Sequence, residues 1–180
     1  PRGLSVHASA AESDGYKRQK KGLPRENLSL LTKITTSGGE SAASIRTKLD
    51  GFRRELGTDY LDIVLLHYMT SGNWQETRKG AMEALAQAKE DGLVKAVGIS
   101  CHSLAALRVA AESDWLDVVL ARINPFNVHM DGSPDTIKEV LAAARRNGKG
   151  VMGMKIFAEG SHVEDEEREQ SLRYALTESN

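Results

Sequence analysis

The chain has 180 residues, 40% of them hydrophobic and 27% charged, which is enough to bury one sizeable core and sets one domain as the default. Lys and Arg number 24 against 25 Asp and Glu, so no global field draws in nucleic acid or an anionic membrane surface. A single cysteine, Cys101, excludes an intrachain disulfide framework. With no apolar run near the roughly 20 residues of a membrane helix and no signal-peptide layout, the expectation is a soluble, cytoplasmic protein.

The first 22 residues, PRGLSVHASAAESDGYKRQKKG, are polar, small and basic and hold no strand-like apolar run. Residues 1–23 therefore stand apart as an atypical segment, and regular patterning begins at residue 24. From there, short apolar runs alternate with amphipathic segments. The runs are Leu28 to Lys33, Leu61 to His67, Val94 to Ser100, Leu116 to Ile123 and Gly150 to Ile156. Their spacing, mostly a little over 30 residues, suits a strand, a helix and two loops per unit, and near-continuous apolar strands suit a parallel sheet buried on both faces.

Between the runs, Ile45, Leu49, Phe52 and Leu56 recur at helical spacing and Gly57 follows as a stop. Met82, Leu85 and Ala86 share a face in the next helix, which ends near Asp91 and Gly92. A shorter helix after Ser103 carries Leu104 and Leu107. Ser133 and Pro134 form an N-cap with proline at the first helical position, ahead of Ile137, Val140, Leu141 and Ala144, and Gly148 ends that helix. The last helix starts near Glu164 with acidic first turns that favour the positive end of its dipole, and is expected to bury Leu172 and Leu176.

Five βα units allow an open doubly wound sheet or a β/α barrel. A dinucleotide-binding open sheet wants a glycine-rich turn after its first strand, but Lys33 is followed by ITTSGGES, which contains no G-x-G-x-x-G. That favours a (β/α)8 barrel, an α/β fold which in full has eight strands and about 250 residues. Five parallel units therefore make an incomplete one.

Barrel chemistry gathers at the C-terminal ends of strands and in the loops that follow. The candidates there are Lys33, His67, Ser100 with Cys101 and His102, Arg122 with Asn124, and Lys155. A cation near a phenol lowers its pKa, and an imidazole can orient a carbonyl or relay a proton. Taken singly, Lys33 reads as a solvated lysine and His67 as a core histidine, and only their pairing across consecutive strands reverses that. Cys101 reads as an inert buried thiol.

The stretches LLTKI, RRELGTDYLDIVLLHYM and ALAQAKEDGLVKAVGISCHS, spaced as here, resemble the aldo-keto reductases. The resemblance runs from about residue 24 to residue 180, from that family's third strand to the helix before its eighth. It implies a (β/α)8 barrel that binds NADPH without a glycine-rich motif and passes hydride to a small aldehyde or ketone. It implies further that Lys33 and His67 belong to a catalytic tetrad whose other members are a tyrosine, which protonates the carbonyl oxygen, and an aspartate paired with the lysine. Those two lie in a D-x-x-x-x-Y pattern that this sequence lacks. The nearest substitutes are Tyr16, 17 residues before Lys33, and Asp14.

For the cofactor, the resemblance assigns Ser100 to the nicotinamide amide. Cys101 stands where asparagine is usual, Arg122 where glutamine is usual and Met154 where an aromatic stacks under the ring, with Lys155 and Phe157 in the following pocket positions. The departures put amide binding and ring stacking in doubt, although a sulfur can lie on an aromatic face and arginine is still a donor. The expectation is a truncated chain whose reductase activity is impaired and whose unpaired barrel edges, near Leu28 to Lys33 and Gly150 to Ile156, favour self-association. Two alternatives stay open. One is a non-catalytic fragment or binding protein of the same fold. The other is a metal-dependent hydrolase using His67 and His102, against which stands the absence of an H-x-H or a carboxylate pair at a strand end; no metal is otherwise expected.

Overall fold

A computed structural model describes residues 4–7, 24–161 and 163–178. Among the described residues, six strands follow one another in the sheet in chain order: β1 (Leu4–His7), β2 (Leu28–Thr35), β3 (Leu61–Met69), β4 (Val94–Cys101), β5 (Val118–Arg122) and β6 (Gly150–Met154). Helices intervene: α1 (Ala42–Leu56), the single turn α2 (Trp74–Thr77), α3 (Lys79–Glu90), α4 (Leu104–Glu112) and α5 (Pro134–Arg146), with α6 (Asp165–Glu178) after β6. The pairs β1–β2, β2–β3 and β5–β6 are parallel, as alternating βα units require.

One strand was not expected. Leu4–His7 pairs in parallel with Leu28–Leu31, although the sequence there is too short and too mixed to read as a strand. Four residues give period-2 patterning almost nothing to act on, and the ready hydrogen-bonding edge of β2 supplies what propensity does not. The correction carries over to the edges, since β2 has a neighbour on each side and Leu28 to Leu31 is paired with β1 rather than open. The rest of the segment, Tyr16 and Asp14 included, lies outside the described residues.

The chain divides into two compact units. The first comprises residues 1–67 and 75–98. Its core is Leu30, Leu31 and Ile34 of β2, Val64, Leu65 and Leu66 of β3, Ile45 and Leu49 of α1, and Leu85 of α3, all essentially shut from solvent. Helix α1 begins where Ser41 Oγ accepts from Ser44 N and ends at Gly57, which takes the left-handed conformation (φ 60°) that a side chain resists. In α3 the buried face is Ala81, Leu85 and Ala88, so Met82 and Ala86, expected inside, are only half-buried.

At the N-terminal ends of these strands a cluster of side chains ties the 3-10 turn Arg25–Asn27 to β3 and β4. Arg25 donates to Thr58 Oγ1, Leu28 O, Tyr60 O and Asp62 Oδ2, and its guanidinium lies 4.0 Å over the Tyr60 ring. Lys95 reaches the same ring at 4.0 Å and Asp62 Oδ1 at 3.1 Å. Much of the GTDYLD block therefore serves the end of the strands opposite to the candidate chemistry.

The second unit comprises residues 68–74 and 99–180. Ile99, Val119, Leu120, Ala121 and Ile123 meet Ala106, Leu107, Ala110 and Ala111 of α4 and Ile137, Leu141 and Ala144 of α5 in its core. The expected cap of α5 is present, with Ser133 Oγ accepting from Thr136 N at 3.2 Å and proline at the first turn. In α6 the expectation fails. Ser171 and Ala175 are buried, while Leu172 and Leu176 are 45% and 59% exposed. The small residues face inward because they allow close approach, a choice that hydrophobicity alone does not rank.

Candidate functional site

Strand β2 runs two residues past Lys33 and β3 two past His67, so neither closes its strand as expected. Register still relates them. Lys33 stands opposite Leu65 and Thr35 opposite His67 in the parallel β2–β3 pair. Side chains alternate along a strand and opposed residues share a face, so Lys33, Thr35, Leu65 and His67 lie on one side of the sheet. Both candidates are half-buried near the C-terminal ends, above the fully buried Leu31 and Leu65.

After β2, residues 36–41 turn back into α1. The Glu40 carboxylate accepts from Ser37 N at 2.5 Å, Gly38 N at 3.0 Å and Ser37 Oγ at 3.0 Å. Burial raises its pKa, but the backbone and hydroxyl donors outweigh that and hold the carboxyl below its ordinary range. Gly38 has φ +99°, and a Cβ there would meet the Arg78 guanidinium at 2.8 Å and Thr77 O at 3.1 Å.

In the second unit the ends of β4, β5 and β6 carry a linked polar set. Ser100 is fully buried and its Oγ accepts from Tyr68 N at 3.0 Å. That hydrogen bond, with His102 N donating to Met69 O at 2.8 Å, accompanies the left-handed Tyr68 (φ 66°), whose ring is exposed and lies 4.3 Å from that of His102. Cys101 is also fully buried. Burial, with the Asp131 carboxylate adding, pushes its thiol far above the ordinary value, so it stays protonated and is no nucleophile.

Arg122 ends β5 and is spent on the protein in three directions. Its Nη2 donates to His102 Nδ1 at 2.6 Å, its Nη1 donates to His129 O at 3.2 Å, and Nη1 lies 3.4 Å from Asp131 Oδ1. Arginine has no acceptor, so His102 Nδ1 must accept and the ring proton sits on Nε2. Asn124, a sequence candidate, serves its own loop: Nδ2 donates to Val128 O, and Oδ1 accepts from Phe126 N and Val128 N.

Strand β6 stops at Met154, short of the expected Ile156, because Lys155 turns left-handed (φ 55°). Lys155 pairs with Glu159, which this lysine holds below the usual carboxylate range, and Phe157 between them is 42% exposed. Met154 is half-buried at the strand end.

The structure thus links Ser100 to Tyr68 and Arg122 to His102. The sequence reading passed over Asp131, whose only signal is an aspartate before a glycine, the ordinary mark of a turn. Among the described residues no group of three or more His, Cys, Asp or Glu side chains is arranged to hold a metal ion. Nor is any helix among them long and apolar enough to cross a membrane.

The chain is 26% identical over 148 residues to the methylglyoxal reductase DkgB of Escherichia coli O157:H7, covering 81% of this chain and 52% of that protein. It is 33% identical over 100 residues to the uncharacterized oxidoreductase YtbE of Bacillus subtilis, covering 52% and 33% respectively. The chain thus spans about half the length of the first of these relatives and a third of the second. Among solved structures, an aldo/keto reductase from Brucella melitensis superposes with TM-score 0.64 at 22% identity, over 84% of this chain and 55% of that one. That likeness gives the fold, an incomplete (β/α)8 barrel. Residues 14–180 match the model of the aldo/keto reductase family, and the chain belongs to that family.

Proposed function

We propose that the protein to which this sequence belongs reduces a small aldehyde or ketone with NADPH, and that Lys33 and His67 are its catalytic residues. The observation that carries the reading is their register, one face of two adjacent parallel strands near the C-terminal ends. A cation and an imidazole so placed can polarise a carbonyl and hold the proton it receives. The cofactor supplies the hydride. A nicotinamide cofactor is favoured by relatives named as reductases and by fold neighbours such as the Bombyx mori aldo-keto reductase, crystallised with NADP.

The residues at the ends of β4 to β6 fit such a group in part. Ser100 carries a hydroxyl and Arg122 a guanidinium, groups of the kind that donate to a carbonyl oxygen. The Met154 thioether can lie against an aromatic ring, Lys155 can meet an anionic group, and Phe157 offers exposed apolar surface. The buried Cys101 fills space rather than binding an amide.

We propose also that this chain on its own turns over poorly. It contains no D-x-x-x-x-Y pattern, and a positioned general acid is worth on the order of 10² to 10⁴ in rate. The test follows NADPH oxidation with a reactive aldehyde, using the chain and its Tyr16→Phe and Lys33→Met variants. Background rates for all three are expected. Clear turnover abolished by both substitutions would show that Tyr16 supplies the acid and that the site works. The competing reading, a binding protein of the same fold, is favoured by that same missing pattern and predicts cofactor binding without turnover in any longer form of the protein.

A further inference from the structure

We propose that Asn147, with Gly148 after it, is a deamidation site held shut by the fold, and that its conversion loosens the joint between α4 and α5. The chemistry is that of an Asn–Gly pair. The Gly148 nitrogen attacks Asn147 Cγ, the Cγ–Nδ2 bond breaks, and the amide hydrogen of Gly148 leaves with the side-chain amino group as ammonia. Water then opens the succinimide to aspartate or isoaspartate, so the chain exchanges a neutral amide for a carboxylate. A Cβ built on Gly148 would meet no heavy atom within 4 Å, so the space beside the attacking nitrogen is open.

Backbone and side chain both hold the site closed. Asn147 follows α5 with φ −85° and ψ 16°, and Gly148 turns left-handed (φ +77°). The ring forms only when Gly148 N lines up with Cβ about the Asn147 Cα–C bond, which this ψ does not give. Gly148 N donates to Arg145 O at 2.9 Å and Lys149 N to Ala144 O at 3.0 Å, the paired bonds that lock a helix end on a left-handed glycine. The side chain is engaged as well. Asn147 Nδ2 donates to Ala111 O at 2.9 Å and to Glu112 Oε2 at 3.3 Å, in the last turn of α4. Deamidation therefore needs a local opening of the end of α5 in which the Gly148 and Asn147 hydrogen bonds are given up together. The product does not fit the same joint. A carboxylate has no N–H to donate, and it would face the Ala111 carbonyl, the Glu112 carboxylate and the negative end of the α5 dipole.

The experiment is peptide mapping by mass spectrometry after the full chain is incubated at mildly alkaline pH, native and in guanidinium. The peptide carrying Asn147 and Gly148 should convert in guanidinium, and at least about tenfold more slowly in the native chain, the scale of one hydrogen bond held closed. Equal rates overturn the shielding, and no conversion in guanidinium overturns the site. Asn147→Asp reproduces the aspartate product and should lower the urea midpoint more than Asn147→Ala, which loses the same donors without adding a charge. Glu112→Gln in the Asn147→Asp background should recover part of the difference. Equal midpoints for the two Asn147 variants, or no recovery, overturn the loosening while leaving the modification site intact. If circular dichroism shows that Asn147→Asp does not fold, limited proteolysis of the aged native chain carries the result. Converted molecules should be cut first, and cleavage indifferent to conversion overturns the loosening.

Discussion

The Arg25 guanidinium donates to Asp62 Oδ2 at 2.7 Å, with both side chains only about 15% exposed, across 37 residues of sequence. Asp62 also accepts from Leu30 N and Lys95 Nζ, so one carboxylate joins the lead-in to β2 with the starts of β3 and β4. Asp62→Ala should cost about 2–3 kcal/mol in urea denaturation at neutral pH, because it strands Arg25 and a backbone amide. The effect has a pH signature. Burial raises the Asp62 pKa, but hydrogen bonds from Leu30, Arg25 and Lys95 outweigh it, so the folded value lies below the unfolded one. The stabilisation is therefore complete above about pH 4 and is lost as pH falls through the lowered value. Asp62→Asn should flatten the fall in stability below pH 4, and an unchanged slope would show that other carboxylates dominate it.

Gly38→Ala should destabilise by about 1–2 kcal/mol, from the left-handed backbone and from the displaced Arg78. Gly39 also has a positive φ but open space around it, so Gly39→Ala should cost less. Thermal melts of the two variants test the ordering, and equal shifts would mean that Arg78 swings aside freely.

Cys101 should be inert to an aromatic disulfide reagent in the native protein, since it is fully buried and its thiol pKa is raised by burial. One equivalent should react in guanidinium. Fast labelling of the folded chain at neutral pH would mean that the end of β4 opens readily.

Leu172→Gln and Leu176→Gln should each lie within about 0.5 kcal/mol of the wild type, as exposed positions of α6. Ser133→Ala should cost about 1 kcal/mol through its lost cap, although Ser133 is itself exposed. Chemical denaturation that found the leucines costlier than the serine would place the buried face of α6 where the sequence put it.

The contrast between these helices shows what was legible. Where apolar residues are large and regularly spaced, as with Ile137 and Leu141 in α5, the buried face could be read directly. Where the inward positions are Ala or Ser, as in α3 and α6, size decided the face and the pattern pointed a step away. Five of the six strands were visible as apolar runs, but β1 is held by the neighbour it pairs with rather than by its own composition. Lys33 and His67 could be singled out because the strand pattern puts them near strand ends, and the register adds that they share a face. Asp131 could not be found, because its burial depends on an ion pair with Arg122 nine residues earlier that no local pattern encodes.

The first turn of the loop after β5 is tied at its base by Asn124. Asn124 spans to Phe126 and Val128, so the backbone of the turn is fixed from its base while Phe126 and Asn127 stay exposed. Such a loop tolerates change unevenly: the exposed Phe126 can be exchanged without rebuilding the strand beneath it, Asn127 is left-handed (φ 58°) and favours asparagine or glycine, and changing the number of residues between Asn124 and Val128 breaks all three hydrogen bonds together. Diversification of this chain, by selection or by library, would therefore find its tolerance in the identity of residue 126, a narrow choice at residue 127, and none in the length of the turn.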